Sequence, residues 1–592
     1  MKATVKAPVH ALLVMWRRYW QWMAILGMAA VTVVLGCIGF WKVHAVGGNA
    51  PRVLDVLYYT IQLFTMNSGA VSGPVPWELE VARYLAPLVP AWTVLKALGL
   101  VFREQLQLFR MRFYSGHVVI CGLGRKGLQL TREFRAQGDR VVVIDIEKEN
   151  TRFKSVQELG ALVLAGNAAD KAILRKARVF SARHVIAVST KDGKNVEIAV
   201  LTSELVQEHQ STLKNRVTCF VHIVDLELCA LFKHHRIFTD TTDFFEPSVV
   251  NVYANVARSL LEDHPLDRKP MTVSERQTVH LVIIGFGHTG ENTAVEAARI
   301  GHYANGKKLR VSVVDRFAED RKRRFYARYP QFDEVCDATF LNGDIGDNAM
   351  LEQVRQWAHD PDSLTTILVS LGSDSGSVVA GLSVLSKLDR TDDVPILVRM
   401  SEREALASLL SGGQGNAKWA NRVHAVGLIG RVCTQQMFLN KELDVLAKAI
   451  HEDFVEERKQ EGKPDTDASL QPWERLDQEQ KDSNRQQADH IAVKLRAIGC
   501  RSVEGDRDGA AAFAFSADEV ELLARMEFAR WKAHRFLTGW VRGPQKDSKE
   551  KISPCLGEWD DLPADIKEYN RQAVRNIPRL LRLVGRHIQR VG

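Results

Sequence analysis

The sequence has few cysteines and no arrangement that would pair them. Its eight cysteines are scattered over 592 residues, with no Cys-x-x-Cys pair and no histidine at zinc-ligand spacing. This distribution argues against a disulfide framework or a structural metal site, and it is typical of a reducing compartment. Nucleophile–base pairs at a suggestive spacing are also missing, so we expect no catalytic residues and no enzyme.

The net charge of the chain is also small. The net charge is +8 at pH 7 for the whole chain, which favours contact with anionic lipid or phosphate and gives no reason to expect a nucleic-acid partner. One segment, residues 22–41, carries no charged side chain at all. A helix needs about twenty such residues to cross the hydrocarbon core of a bilayer.

The uncharged run predicts a transmembrane helix over residues 22–41. Arg17, Arg18 and Lys42 bracket the run, and several tryptophans stand at its ends, where interfacial aromatic residues belong. An uncleaved signal peptide is the alternative, but the run exceeds a usual signal core and no small-residue cleavage site follows it. Since basic residues precede the helix, the positive-inside rule puts the N-terminus in the cytoplasm.

A short apolar segment, a polar turn and a second long apolar stretch follow this helix. The segment covers residues 53–64, and the stretch covers residues 81–102. This order resembles the two-transmembrane potassium channels, in which the short helix points into the membrane and the turn forms the selectivity filter. The resemblance implies a two-helix pore-like domain over residues 1–115 in a lipid membrane, a homo-tetramer and a monovalent cation. The filter positions would be Thr65, Met66, Asn67, Ser68 and Gly69.

This turn departs from the Thr-Val-Gly-Tyr-Gly pattern, whose carbonyl groups replace the hydration shell of potassium. Only Thr65 and Gly69 match the pattern. Asn67 replaces a glycine, and a side chain there makes the left-handed backbone costly. Lys96 puts a cation inside the second apolar stretch, which is costly unless the ammonium group reaches an interface. We therefore expect weak selectivity between potassium and sodium.

A buried strand at residues 117–121 runs into a glycine-rich turn, a helix and a second strand that ends at an acid. This order is a dinucleotide-binding fingerprint. Its glycines permit the tight turn, let a phosphate approach the backbone and allow the helix to pack on the strand. The phosphate faces the helix N-terminus, and the acid can hold ribose hydroxyls. The predicted site residues are Gly122, Gly124, Arg125, Gly127 and Asp145.

The same pattern returns one domain further along the chain, which predicts two tandem Rossmann-like α/β domains. We expect them at residues 116–275 and 276–433. A later turn keeps an acid in the second copy, Asp344, where the first copy has Asn167. The second set of predicted site residues is Gly285, Gly287, His288, Gly290 and Asp315.

These features resemble the cytoplasmic RCK (TrkA-N type) domains that regulate potassium conductance in channels and in uptake regulators. The resemblance implies an adenine nucleotide in each copy, whether NAD, ATP, ADP or a cyclic nucleotide. The alternative is that the glycines only shape a turn and that one or both pockets are empty, because the fingerprint reports backbone geometry before occupancy.

A smaller repeat occupies residues 440–592. Trp559 and Leu562 repeat Trp473 and Leu476 at one constant offset, which chance does not readily explain. The second copy resembles the repeat of ryanodine receptors (RyR), and it predicts a mostly α-helical repeat domain whose two copies pack together. The residues that could stack on and clamp a ligand are Trp531, Trp540, Arg542, Trp559 and Arg571. The alternative is that the tryptophans are core and the arginines pair with Asp560, Asp561 or Glu568.

The sequence therefore predicts a multidomain, multi-pass protein of a bacterial inner membrane with both termini in the cytoplasm. Its expected function is that of a tetrameric cation channel, or a channel-derived effector, gated by nucleotide sensing through the RCK and RyR domains. A membrane-anchored nucleotide sensor that conducts nothing and regulates potassium transport is the alternative. A membrane-bound NAD-dependent enzyme would need a substrate domain, which is not found.

Overall fold

The computed structural model describes residues 6–46, 52–67, 71, 74–102, 105, 109–147, 152–213, 215–225, 244–389, 393–400, 422–427, 430, 433–438, 444–460, 468–505 and 513–591. The predicted filter residues Ser68 and Gly69 lie outside these ranges. The chain divides into two compact units, Met1–Phe113 and Tyr114–Gly592, and each is described by itself.

The first unit contains helices α1 (Lys6–Val46), α2 (Val53–Gln62) and α3 (Trp77–Val101). Within α1, Trp22–Ala45 is long and apolar enough to cross a membrane, and it is the one such helix in the described ranges. Its position agrees with the predicted span over residues 22–41, although the helix itself extends further at both ends. The stretch predicted over residues 81–102 is helical, and its crossing of the membrane stays a prediction.

Small residues let the three helices approach closely. A Cβ atom on Gly39 of α1 would lie 2.5 Å from the Cβ of Leu79 on α3, and one on Gly36 would lie 2.6 Å from the Thr60 side chain on α2. Lys42 and Glu78 add an ion pair between the end of α1 and the start of α3. The helical hairpin is therefore a packed unit, because close backbone approach multiplies van der Waals contacts.

The polar turn begins as a 3-10 helix, Leu63–Thr65, directly after α2. The hydroxyl of Thr65 donates to the carbonyl of Gln62 at 2.9 Å. Among the described residues of the turn, Met66 is left-handed, with a φ of 63°, whereas the sequence pattern had put this conformation at Asn67. A side chain at positive φ is costly in either place.

The first Rossmann-like domain is built on a six-stranded parallel sheet in the order β3-β2-β1-β4-β5-β6. The central strands are buried on both faces, which explains their unbroken runs of valine and isoleucine. The strands are β1 (Val118–Cys121), β2 (Val141–Asp145), β3 (Leu162–Ala165), β4 (His184–Ala187), β5 (Val217–His222) and β6 (Phe245–Val250). The helices are α4 (Arg125–Ala136), α5 (Arg152–Glu158), α6 (Lys171–Lys176), α7 (Asp192–Glu208) and α8 (Val252–Asp263).

The second domain repeats this topology, with the order β12-β11-β10-β7-β8-β9. The prediction of two Rossmann-like parallel sheets is confirmed. Its strands are β7 (Thr278–Ile284), β8 (Leu309–Asp315), β9 (Cys336–Asn342), β10 (Ser363–Val369), β11 (Ile396–Arg399) and β12 (Val423–Val426). Its helices are α9 (His288–Ile300), α10 (Ala318–Arg328), α11 (Phe332–Val335), α12 (Asn348–Ala358) and α13 (Asp374–Lys387).

The C-terminal region consists mainly of helices. After α14 (Gln435–Phe438) come α15 (Val445–Gln460), α16 (Gln478–Ala497), α17 (Ala517–Leu537), α18 (Ala564–Arg575) and α19 (Ile577–Leu583). The strands are β13 (Cys500–Glu504), β14 (Val541–Arg542), β15 (Ile552–Ser553) and β16 (Arg586–Arg590). β13 follows the long helix of the first repeat and β16 ends the second, and the two strands pair antiparallel. This ladder joins the two repeats at their ends.

The C-terminal region does not form a core of its own. One continuous hydrophobic cluster contains Tyr303 and Phe332 of the second Rossmann-like domain together with Phe528 and Leu581 of the repeats. Cys433, at the predicted domain end, instead packs into the core of the first Rossmann-like domain. The three parts of the second unit are therefore interlocked.

Candidate functional site

In the first glycine turn, two of the three glycines are required by packing. Gly122 has a φ of +108°, and a Cβ atom there would lie 3.0 Å from the backbone of Ser189 on the neighbouring strand's loop. A Cβ atom on Gly127 would lie 1.9 Å from the carbonyl oxygen of Gly122. Only glycine lets α4 start this close to β1.

The second glycine turn has the same construction. Gly285 has a φ of +90°, with the carbonyl oxygen of Ser370 2.6 Å from a Cβ atom added to it. A Cβ atom on Gly290 would lie 2.5 Å from the carbonyl oxygen of Gly285. The sequence duplication is thus a duplication of backbone geometry.

The middle glycine behaves differently in both copies. Gly124 and Gly287 are the N-cap residues of α4 and α9, and neither helix has a side-chain cap. Among the residues that the structure describes, an added Cβ atom at either position would meet no atom within 4 Å. The first backbone N–H groups of a helix lack partners within the helix and favour an anion. Each turn therefore presents an open helix N-terminus of the kind that holds phosphate.

The two acids at the strand ends hold the turns in shape. One carboxylate oxygen of Asp145 accepts a hydrogen bond from the Leu123 N–H at 2.5 Å, and the other accepts from the Glu147 N–H at 3.1 Å. Asp315 does the same with the N–H groups of Phe286, at 2.7 Å, and Phe317, at 2.8 Å. A carboxylate offers about four lone-pair positions, so each acid retains capacity for a ribose hydroxyl.

The other predicted site residues lie at the helix starts. Arg125 is exposed at the first position of α4. His288 is at the first position of α9, and burial lowers its pKa. The sequence interpretation missed two apolar side chains that follow the acids: Ile146 is 60% exposed and Phe317 is 67% exposed. Their common sequence signal is an apolar residue one or two positions past the strand-end acid.

The later turn acid is also engaged. Asp344 forms an ion pair with Arg316 and accepts a hydrogen bond from the Gly346 N–H at 2.9 Å. These contacts lower the pKa of Asp344. Asn167, its counterpart in the first copy, caps its own turn through the Ala169 N–H at 3.1 Å. The second site therefore carries an Arg316–Asp344 ion pair beside its strand-end acid.

In the C-terminal region, the geometry favours the structural interpretation for three of the five predicted ligand residues. Trp540 and Trp559 are only 8% and 7% exposed, and the Trp559 indole N–H donates to Glu521 at 3.0 Å. Arg571 pairs with Glu521 at 2.8 Å and with Glu568 at 3.3 Å. The two tryptophans and the arginine pairing therefore match the alternative in which large aromatic residues serve as packing, and a ligand role for these three residues stays a prediction.

The remaining two candidates are more accessible. Trp531 is partly buried, and the guanidinium group of Arg535 lies 5.5 Å from its ring and 4.4 Å from the ring of Trp540. Arg542 is exposed on β14. The sequence interpretation missed Arg535, whose stacking between two tryptophans brings Trp531 and Trp540 together.

A surface pocket of about 620 Å³ lies beside Glu521 in the second repeat. It is lined by Phe513, Phe515, Arg571 and Arg575, among others. Among the residues that the structure describes, no group of histidine, cysteine, aspartate and glutamate could hold a metal ion. The seven cysteines in the described ranges are all free thiols.

Comparison with known proteins agrees with this geometry. Residues 118–221 match the TrkA-N domain family, and residues 516–590 match the RyR domain family. The chain is 28% identical over 104 residues to potassium channel protein 1 of Methanocaldococcus jannaschii, covering 18% of this chain and 31% of the relative. It is 30% identical over 89 residues to a Trk system potassium uptake protein TrkA homolog of Pyrococcus horikoshii, covering 15% and 39%. The chain thus spans only about a third of the length of these relatives.

Solved structures of the GsuK channel cover 73% of this chain. The structure bound to ADP has 18% sequence identity and a TM-score of 0.36, and covers 99% of the GsuK chain. The structure bound to NAD has 16% identity and a TM-score of 0.38, and covers 74% of this chain and 85% of the other. These scores are too low to support a common arrangement over the whole chain.

The family matches confirm the two resemblances that the sequence predicted. The chain carries one region that matches the TrkA-N domain and one that matches the RyR domain, and part of it is similar to a potassium channel protein. The relatives are a channel protein and uptake proteins rather than enzymes.

Proposed function

We propose that this protein is a cation channel, or a channel-derived membrane effector, that is gated by nucleotides bound to its cytoplasmic domains. The observation that carries the proposal is the open helix N-terminus at Gly124 and again at Gly287, each beside an acid that retains hydrogen-bonding capacity. The ligand class is an adenine nucleotide, and the protein works as a homo-tetramer in a lipid membrane with its N- and C-termini in the cytoplasm.

The packed helical hairpin supports a membrane role. Its buried core is formed by Phe40, Val56, Leu63 and Leu79, while many large apolar side chains of the same helices are exposed. These include Leu26, Val34, Tyr84, Leu88 and Trp92. A soluble protein rarely exposes so many large apolar side chains together, and lipid or neighbouring subunits would cover them.

A single helix connects the second nucleotide site to the C-terminal repeats. α9 starts at the open Gly287 turn, and its far end contacts the repeats. The imidazole of His490 on α16 hydrogen-bonds the carbonyl of His302, just beyond α9, at 3.0 Å. A ligand that binds one state of this assembly more tightly than another would shift the equilibrium between them. The RyR module then acts either as a second ligand sensor or as a structural support that packs against α9.

Nucleotide binding can be tested with two matched variants, Gly124→Leu and Gly287→Leu. The backbone at both positions is extended and the space is open, so the leucine should fill the phosphate position without disturbing the fold. Calorimetry with NAD and with ADP should show loss of one site in each variant and of both in the double variant. Unchanged affinity in the double variant would exclude these turns as the binding sites.

The alternative function is a membrane-anchored nucleotide sensor that conducts nothing itself and regulates potassium transport. The side chains at Met66 and Asn67, where a filter has a valine and a glycine, favour it. Potassium flux into liposomes that contain the full-length protein separates the two functions. A nucleotide-dependent flux supports the channel, whereas nucleotide binding without any flux supports the sensor.

A further inference from the structure

Three side chains form a continuous contact between the two glycine turns. The ammonium group of Lys126, two residues after Gly124, lies 5.2 Å from the centre of the Tyr253 ring. The Tyr253 ring centre also lies 5.2 Å from the ring centre of His288, the residue after Gly287. A single aromatic ring therefore contacts the first helical turn behind each proposed phosphate site.

A backbone hydrogen bond and a neighbouring imidazole ring position Tyr253. The Asn251 side chain caps α8 by accepting from the Tyr253 N–H at 3.0 Å. The ring centre of His222 lies 6.0 Å from that of Tyr253. The Nδ1 atom of His222 hydrogen-bonds the Val250 carbonyl at 3.1 Å, and its Nε2 atom hydrogen-bonds the Lys126 ammonium group at 2.5 Å. Burial lowers the pKa of His222 to about 3, so the imidazole is neutral. Its Nε2 therefore accepts a hydrogen bond from the Lys126 ammonium group.

Both ends of this contact share an electrostatic neighbour. Burial lowers the pKa of Lys126 to about 8 and also lowers that of His288, whereas the nearby Asp192 carboxylate acts to raise both. A cation in the first turn of a helix is unfavourable by itself, because the helix N-terminus is positive. An anion at the N-terminus removes that cost, so phosphate at the first turn would stabilise the Lys126 cation, and phosphate at the second turn would favour protonation of His288.

We propose that Tyr253 is a positioning residue that couples the two nucleotide sites of one chain. This inference rests on the proposed function, since it needs both turns to bind nucleotide. A ligand at one glycine turn orders the first turn of the helix that follows it. Because the Tyr253 ring contacts the starts of both helices, this ordering extends to the other glycine turn. The second ligand then binds an already ordered site and binds more tightly. We expect a cooperativity factor of about 5- to 10-fold, which is within the usual range for coupled sites.

The test uses the full-length protein in detergent, with NAD and separately ADP as probes in calorimetry. Gly287→Leu reports the affinity of the first site alone, and Gly124→Leu reports that of the second site alone. The cooperativity factor is the product of the two wild-type association constants divided by the product of these single-site constants. Tyr253→Leu should reduce the factor to about one while each single-site affinity, measured in the same leucine backgrounds, stays within about twofold.

Two further variants separate coupling from a merely structural role. Tyr253→Phe keeps the ring and should keep the cooperativity, whereas Tyr326→Leu removes an aromatic ring that packs elsewhere on the second domain and should also leave it unchanged. A factor of one in the wild type overturns the inference but not nucleotide binding. A factor that survives Tyr253→Leu also overturns it. No binding of either probe to the wild type overturns the proposed function and the inference together.

Discussion

Arg258 on α8 and Asp489 on α16 form a two-point ion pair, with Nε and Nη2 of the arginine each 2.8 Å from a carboxylate oxygen. The arginine side chain is only 9% exposed. The pair borders a cavity of about 140 Å³ that is also lined by Glu296 and Arg299 of α9. Residues from both Rossmann-like domains and from the repeats thus meet around one buried set of charges.

We predict that Asp489→Asn destabilises the protein by about 1.5–3 kcal/mol, because it removes a charged hydrogen-bond partner of a buried guanidinium group. Asp320→Asn is the control, since Asp320 pairs with largely exposed arginines on α10 and should cost about 0–1 kcal/mol. Chemical denaturation of the wild type and both variants measures the difference. Equal losses in the two variants would contradict a structural role for the Arg258 pair.

We predict that alanine substitutions at glycines three residues apart differ strongly in their effect on stability. Gly127→Ala and Gly290→Ala force a Cβ atom against a backbone carbonyl and should cost about 1–3 kcal/mol or more. Gly124→Ala and Gly287→Ala enter open space and should change stability by less than about 0.5 kcal/mol. Thermal unfolding of the four variants measures this. A large loss of stability in Gly124→Ala or Gly287→Ala would mean that protein atoms occupy the space beside these glycines.

We predict that the second unit, Tyr114–Gly592, loses stability as the pH falls below about 6.5. Burial lowers the pKa of several histidines, to about 4 for His117 and to about 3 for His222, His280, His302 and His534. They stay neutral in the folded state, whereas the unfolded chain takes up protons near pH 6.5. Stability is therefore complete above pH 6.5 and falls towards pH 3, by about 1–2 kcal/mol per histidine at pH 5.

The pH dependence can be assigned with two conservative variants. His534→Gln keeps a polar partner for Gln486, and His280→Gln keeps one for Ser312. Each should reduce the proton uptake on unfolding, measured as the slope of unfolding free energy against pH, by about one proton at pH 5. Slopes identical to the wild type in both variants would show that other groups govern acid unfolding.

For the RyR module, we predict that Arg542 and Trp559 have different roles. Arg542→Ala removes an exposed side chain and should leave stability within about 0.5 kcal/mol while weakening any ligand response of this module. Trp559→Phe removes the indole hydrogen bond to Glu521 and should cost about 1 kcal/mol without a specific effect on ligand. Thermal shift of the full-length protein against a nucleotide collection measures both effects. A ligand response that only Trp559→Phe changes would reverse the assignment.

For the pore, we predict comparable potassium and sodium currents and no loss of current in Lys96→Met. The Lys96 ammonium lies 5.1 Å from the centre of the Trp22 ring on α1, so it is directed at the neighbouring helix and held by a cation–π contact. The turn has a side chain at Asn67 where a filter has glycine, which weakens selectivity by carbonyl groups. Bilayer recordings with nucleotide present measure both, and a strongly potassium-selective current would contradict the prediction.

Much of the architecture was predictable from local sequence. The uncharged run, the two glycine fingerprints and the alternation of strand and helix depend on neighbouring residues, because hydrophobic period and backbone freedom are local properties. Gly122 and Gly285 illustrate this: their positive φ values follow from the turn that the sequence pattern requires. The two sheets in the same strand order follow from the duplication.

The sequence could not determine which apolar faces meet. α17 carries buried residues on most sides, so its sequence did not reveal that it completes a core with the second Rossmann-like domain. The burial of Trp540 and Trp559 and the pairing of Arg571 with Glu521 depend on that packing. Tyr253 shows the same limit, since nothing in its neighbourhood along the chain indicates Lys126 or His288. Contacts between residues far apart in sequence arise only when the domains pack together, and the tertiary structure alone decided them.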